Sequence, residues 1–271
     1  MTLSRASLLL QYLWPWGRRG LIAQFAQRDV SARYRGSVGG LAWAFITPLI
    51  MLAVYTFVFQ NVFRARWPSG GSGELDFAVR LYAGLIVFNS VAEYLNRAPR
   101  LVLEQPNLVK RVVFPLEILS WSALASALFH LGVAAIVLVL AAAWQSGLSF
   151  TWIALPLVWC AMIPFLLGMG WFLAALGVYV KDLGQAVGLV VAFLQFLSPV
   201  FYPVEALPER WRPFLMANPL TFIIEQTRDV ALNHVWPHWG GLLLYVLLGV
   251  LFAALGALFF QRARQGFADV L

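Results

Sequence analysis

Long uncharged apolar runs alternate with short polar, mostly basic segments along the whole chain. Residues 38–59 hold no charged side chain and are about as long as a helix needs to be to cross a bilayer. Just before them, residues 21–35 read LIAQFAQRDVSARYR, helix-forming and basic, with Gly36, Gly39 and Gly40 at the join. On a helical wheel Leu21, Ile22, Phe25, Ala26 and Val30 share a broad arc. Gln24, Gln27, Arg28, Tyr34 and Arg35 lie opposite. Asp29 and Arg33 intrude on the apolar arc at a spacing that lets them pair. The pattern predicts an amphipathic helix in the membrane interface that turns into a first span, with Pro48 kinking that span midway.

Further apolar runs predict spans over 81–92, 118–144, 152–180, 184–204 and 239–260. Asn89, Ser90, Glu93 and Asn96 crowd the end of the second, so that helix should face protein or water rather than lipid. A charged connector, 97–117, follows it, and Lys181–Asp182 makes a tight turn before the fifth span. Residues 214–224 are apolar but too short to cross, which favours a re-entrant or interfacial segment, and prolines at 199, 203, 208, 213 and 219 punctuate the region as a re-entrant turn would need. The fold class expected is an all-α integral membrane protein. It has six transmembrane helices, an N-terminal interfacial helix and a re-entrant segment between helices five and six. The whole chain, 1–271, forms one domain, with an N-terminal region 1–37, a membrane region 38–260 and a polar tail 261–271.

Composition agrees: 61% of residues are apolar and 11% charged, against about 25% charged in soluble domains. The net charge of +7 does not point to nucleic acid, because no soluble basic domain exists to bind it. With six spans, one side of the membrane receives Arg5, Arg18, Arg19, Arg28, Arg33 and Arg35, then Arg97, Arg100, Lys110, Arg111 and Lys181, then Arg262 and Arg264. The other side receives Arg64, Arg66, Arg80, Arg210, Arg212 and Arg228, so the positive-inside rule puts both termini in the cytoplasm. The apolar run 8–16 is short, contains Pro15 and leads into Arg18 and Arg19, which predicts a cytoplasmic N-terminus rather than a cleaved signal. The one cysteine, Cys160, cannot form an intrachain disulfide.

Motif chemistry is sparse. Neither lysine follows a glycine-rich turn, so there is no P-loop for nucleotide hydrolysis, and no metal-binding cluster is expected. His130 inside the third span is either a proton relay or a helix-packing hydrogen-bonder, with no acidic neighbour in sequence. Glu225, Arg228 and Asp229 either pair mutually or form an ordinary solvated helix end. Gly184 and Gly188, like Gly36 and Gly40, permit close helix approach within or between protomers.

The run RDVSARYRGSVGGLAWAFITPLIMLAVYTFVF at 28–59 resembles the opening of the permease subunits of type-2 ABC exporters of polysaccharide. NLVKRVVFPLEIL at 107–119 resembles the first cytoplasmic loop of that family, and LSPVFYP at 197–203 with NPLTFIIEQTRD at 218–229 resembles its fifth span and re-entrant turn. The resemblance implies a bacterial inner-membrane subunit, without enzymatic activity, that exports lipid-linked O-antigen, capsular or teichoic-acid chains. Its partners would be a second copy of itself, two ATPase subunits that bind the ATP and Mg, and the lipid-linked polysaccharide. The chain itself would bind no cofactor, metal or nucleic acid.

The same resemblance assigns roles. Arg28, Arg33, Tyr34 and Arg35 would form a gate helix where a lipid-linked diphosphate approaches; a plain positive-inside anchor is the other reading. Glu104, Asn107, Lys110 and Arg111 would contact the ATPase. Tyr55, Phe59 and Phe63 with Phe193, Phe196, Phe201 and Tyr202 would line the polysaccharide channel, unless they serve as an interfacial belt. Two rivals remain: a type-2 exporter of drugs or lipids, whose ATPase small amphiphiles would stimulate, and an intramembrane sugar or acyl transferase. The transferase would need a His/acid site, for which Glu93 and His130 are poor candidates in the sequence.

Overall fold

A computed structural model of the chain describes residues 12–62, 67, 76–110, 114–147 and 149–271. The regular structure among them is helical. Helix α1 is Arg19–Tyr34 and α2 is Trp43–Thr56, entered through a 3-10 turn at Gly40–Ala42 and continued by a π turn at Phe57–Val62. Helix α3 is Asp76–Arg97, the one-turn α4 is Pro106–Val109, and α5 is Ile118–Ser146. Helices α6 and α7, Leu155–Ala161 and Ile163–Tyr179, follow end to end. Then come α8 (Leu183–Phe196), α9 (Arg212–Met216), α10 (Pro219–Ala231), α11 (Trp239–Arg264) and α12 (Phe267–Val270). Among the described residues, four stretches are long and apolar enough to cross a membrane: Gly40–Phe59, Ile118–Gln145, Phe150–Tyr179 and Trp239–Arg264.

The polar helix α3 is the hub. It packs against α2, α5, α7, α8 and α10, and sixteen of its residues are buried, from Asp76 to Leu95. The expectation that this helix faces protein therefore holds for its inner turns. In contrast, α2 buries only Ala44, and α11 exposes Leu243, Leu244, Leu247, Leu248 and Leu251. Exposed apolar rows of this kind suit lipid rather than water.

Small residues set the closest approaches. Helices α7 and α11 make the most extensive contact among the described helices. A Cβ added at Gly168 would meet the Phe252 carbonyl at 2.7 Å, and one at Gly256 would collide with the Gly168 backbone. On another face of α7, Gly177 receives the Pro99 carbonyl, which seats the end of α3. Gly184 and Gly188, by contrast, face Arg100 and Asn96 of the same chain, and nothing lies within 4 Å of a Cβ at Gly36 or Gly40.

Prolines explain where the chain departs from expectation. The span over 152–180 is three pieces rather than one helix, with Pro156 and Pro164 in the first turns of α6 and α7, where a missing amide hydrogen is tolerated. The fifth run stops at Phe196, not at 204, because Pro199 and Pro203 supply no amide donors to extend it. Asn218 accepts from the Leu220 amide at 3.0 Å and, with Pro219, starts α10. The tail is not a polar extension: α11 continues to Arg264, and Phe267 is fully buried against Phe260 and Tyr179.

Both ends of the described chain meet at the start of α5. Glu117 is buried and pairs with Arg18 and, at 3.6 Å, with Arg264. Trp171 donates its indole N–H to the Glu117 carbonyl at 3.1 Å, and Trp121 donates to the Tyr12 carbonyl at 2.9 Å. The start of the 8–16 run lies outside the described residues, as do Arg5, Arg64 and Arg66.

Leucine at Gly256 should force α7 and α11 apart and destabilise the fold by about 1–3 kcal/mol or more, whereas leucine at Gly132, where a Cβ meets nothing, should leave it unchanged. Thermal unfolding of the two purified variants in detergent checks this.

Candidate functional site

The C-terminal turns of α1 lie against α3 and α5, and charge holds them there. Arg33 Nη1 sits 2.8 Å from Glu93 Oε2, and Arg97 Nη2 sits 2.8 Å from Asp29 Oδ2. The sequence expectation that Asp29 pairs with Arg33 is thus corrected: each instead reaches across to α3, whose charges need partners near the membrane.

His130 of α5 completes the cluster, its Nδ1 lying 2.8 Å from Glu93 Oε1 and 3.1 Å from Arg33 Nη1. One imidazole nitrogen cannot donate to a carboxylate and accept from a guanidinium at once. We assign the proton to the shorter bond, so Nδ1–H donates to Glu93. Nε2 is buried without a hydrogen-bond partner among the described residues. His130 therefore has the acidic neighbour that its sequence surroundings lack. The Tyr34 ring stands edge-on to it at 5.9 Å. Burial raises the Tyr34 phenol above its usual value, against Arg33 and with Glu93.

Two cavities meet at this cluster and share Arg33, Glu93 and His130 as a common wall. One, of about 490 Å³, is charged and adds Asp29, Arg97, Arg100 and Glu104. The other, of about 200 Å³, runs between α2, α3 and α5 and adds Trp43, Met51, Tyr55, Tyr82 and Leu85. Of the four predicted gate residues, Arg33 and Tyr34 reach these cavities. Arg28 lies over the Phe25 ring at 4.6 Å, and Arg35 is exposed past the helix end; neither lines them.

The connector is a 3-10 turn at Ala98–Arg100 followed by α4. Leu101 and Val102 anchor it in the core, which leaves Glu104, Asn107 and Lys110 exposed together on one short segment. Arg111 lies outside the described residues. Among the described residues the predicted channel aromatics make ring contacts in two groups. Tyr55 and Phe59 cluster with Phe77 beside α3, with ring centroids 6.5 and 5.1 Å apart. Phe193 and Phe196 are exposed on α8, where Phe196 stacks on Phe201 at 5.8 Å and Tyr202 donates to the Phe196 carbonyl at 2.6 Å. Phe63 lies outside the described residues.

At the other end of α3 lies a second charged cluster, of which the sequence offered only the pairing among Glu225, Arg228 and Asp229. Arg228 is 2% exposed, not part of a solvated helix end. It donates to the Arg80 and Val200 carbonyls at 3.0 and 2.8 Å and to Glu225 at 2.9 Å, with the Trp67 ring 4.6 Å away. Arg80 in turn pairs with Asp76 at 3.0 Å and donates to Asn233 at 2.8 Å. Two of these bonds, Arg228 to the Arg80 carbonyl and Arg80 to Asn233, join α3 to α10 and the turn after it, so α10 is pinned to the hub.

The fold and these clusters define a multi-pass helical membrane protein with networks of paired charges at the two ends of one buried helix. Comparison with known proteins gives the class a name. Residues 21–232 match the family described as ABC-2 type transporter. The chain is 26% identical over 255 residues to an O-antigen export system permease protein RfbA of Myxococcus xanthus, covering 93% of this chain and 95% of that one. It is 23% identical over 253 residues to an RfbA permease of Klebsiella pneumoniae, with the same coverage, and 23% identical over 209 residues to the polysialic acid transport protein KpsM of Escherichia coli, covering 76% and 78%. The chain belongs to the ABC-2 type transporter family of membrane proteins.

The two clusters differ in strength. Arg33 is 54% exposed at its side chain and its ion pair contributes about 1 kcal/mol or less. Removing the buried Arg228 charge orphans two carbonyls and Glu225, a loss of about 3 kcal/mol or more. Arg228→Gln should therefore abolish folded, detergent-stable protein while Glu93→Gln is recovered normally, as monitored by size-exclusion chromatography after heating.

Proposed function

We propose that this chain is the permease subunit of an ATP-driven exporter of polysaccharide across the bacterial inner membrane. The observation that carries the proposal is its alignment, nearly end to end, with permeases named for O-antigen export. In this reading six segments cross the membrane: the four long apolar stretches, the buried α3, and α8 with the turns after it. Helices α9 and α10 form the re-entrant segment. Helix α1 lies in the cytoplasmic interface, and both termini are cytoplasmic. The meeting of Arg18 and Arg264 on Glu117 supports a common side for the ends.

Two copies face each other, and separate ATPase subunits that bind ATP and Mg dock on the exposed Glu104, Asn107 and Lys110, with Arg111 beside them. The glycan arrives attached to a lipid. Arg28, Arg33, Tyr34 and Arg35 receive its phosphates, because guanidinium forks at a headgroup plane bind phosphate with paired hydrogen bonds. The polymer then passes aromatic faces offered by Tyr55, Phe59 and Phe63 and by Phe193, Phe196, Phe201 and Tyr202. Flat rings without deep pockets hold sugars weakly enough to let them slide. The two aromatic groups sit on α2 and around the end of α8, and in this reading the path closes between protomers. The Glu93–His130 pair does not favour a transferase, since Arg33 already occupies the carboxylate that a proton-transfer role needs free.

Deleting the gene should remove surface polysaccharide and leave the glycan inside the cell. Arg33→Ala and Arg35→Ala should lower surface polysaccharide while the ATPase still co-purifies, and Lys110→Glu should weaken co-purification. Surface glycan labelling with affinity pull-down measures both. Normal surface glycan in the two arginine variants sinks the gate role, and transferase turnover by the purified chain alone sinks the transport reading.

A further inference from the structure

The charged cavity between α1 and the end of α3 is balanced in a particular way. Arg33, Arg97 and Arg100 face Asp29, Glu93 and Glu104 in its wall. Two of the guanidinium groups are paired with carboxylates across the gap between the helices, and Arg100 carries no ion pair among the described residues. Both paired arginines are partly exposed, so water reaches the bonds and another anion can compete for them. A guanidinium fork accepts a carboxylate or a phosphate with the same paired geometry. Arg97 and Arg100 belong to α3 and to the turn that leads directly into the exposed connector.

We infer that this cleft is an exchange latch. A diphosphate-type anion takes Arg33 and Arg97 from Glu93 and Asp29, recruits the unpaired Arg100, and so unties α1 from α3. The inference rests on reading the chain as an exporter of a phosphate-bearing glycan, and it adds Arg97 and Arg100 to the residues that contact the anion. His130 makes the exchange feasible: Glu93 released by Arg33 keeps the imidazole as its partner instead of being left bare. The latch also gives anion binding a route to the connector, since the guanidinium that changes partner sits one short turn ahead of it. The adjoining apolar cavity at Met51, Tyr55 and Leu85 opens from the same three-residue wall, in the place where the chain of a lipid-borne headgroup would lie.

The test is binding of inorganic pyrophosphate and of farnesyl diphosphate to the full-length chain in detergent, by titration calorimetry. Asp29→Asn and Glu93→Gln remove the internal competitors and should each tighten pyrophosphate binding by about three- to tenfold. Arg97→Gln and Arg100→Gln should weaken it by about tenfold. A purely structural pair predicts the opposite for Asp29→Asn: unchanged or weaker binding, which overturns the latch. Arg100→Gln breaks no ion pair among the described residues and keeps the test readable if another variant misfolds; wild-type affinity in that variant also overturns it. Tighter binding of farnesyl diphosphate than of pyrophosphate assigns the anion to a lipid headgroup, and equal binding assigns it to a free phosphate. These outcomes are independent of export: cells that keep their surface polysaccharide without this chain refute the export function and leave the binding results standing.

Discussion

A helix that carries Asp76, Arg80, Asn89, Glu93, Asn96 and Arg97 cannot lie against hydrocarbon, because each unpaired charge or amide there costs several kcal/mol. The architecture follows from covering it. Helices α2, α5, α7, α8 and α10 each lay a face on α3, and α2 and α8 turn rows of exposed apolar side chains outward. The small residues serve the same end: Gly177 admits the Pro99 backbone and Gly170 admits the Tyr94 ring, so the hub sits close to α7 without a gap.

Covering the middle of α3 leaves its two ends to be satisfied by charge, and the two solutions differ. At one end Arg228 is sealed beneath Trp67 and bonded to backbone carbonyls that cannot move away independently. Such a cluster fixes geometry. At the other end Arg33 and Arg97 are bonded to carboxylates across a water-accessible gap, with a histidine shared between α3 and α5. Such a cluster is cheap to rearrange. In a transporter the first kind suits an anchor and the second suits a moving part.

Much of this was legible from the order of residues. The alternation of apolar runs and basic turns located α1, α2, α5 and α11 to within a few residues, and the polar end of the 81–92 run marked α3 as facing protein or water rather than lipid. The stops were harder. Pro199 and Pro203 were visible, but that they end α8 at Phe196 depends on amides with no donor, which a hydropathy pattern does not weigh. Phe267 looked like part of a polar tail because its partners, Phe260 and Tyr179, come from two other helices. The site was half legible. Arg33 and Tyr34 stood out as a basic cluster, yet Glu93 is 37 residues from His130 in sequence, and only the packing of α3 on α5 joins them. Arg228 sits in an amphipathic helix that reads as solvated until the carbonyls it serves are known.

The central claim is that α3 is an interior helix wrapped by apolar ones. Carbene photolabelling from a lipid-dissolved diazirine, with the wild-type protein in liposomes and the labelled residues mapped by mass spectrometry, tests it without altering a side chain. The account predicts dense labelling along the outward row of α11, including Leu244, Leu247 and Leu251, and almost none on α3 from Leu81 to Leu95. Labelling of α3 as dense as that of α11 would contradict it.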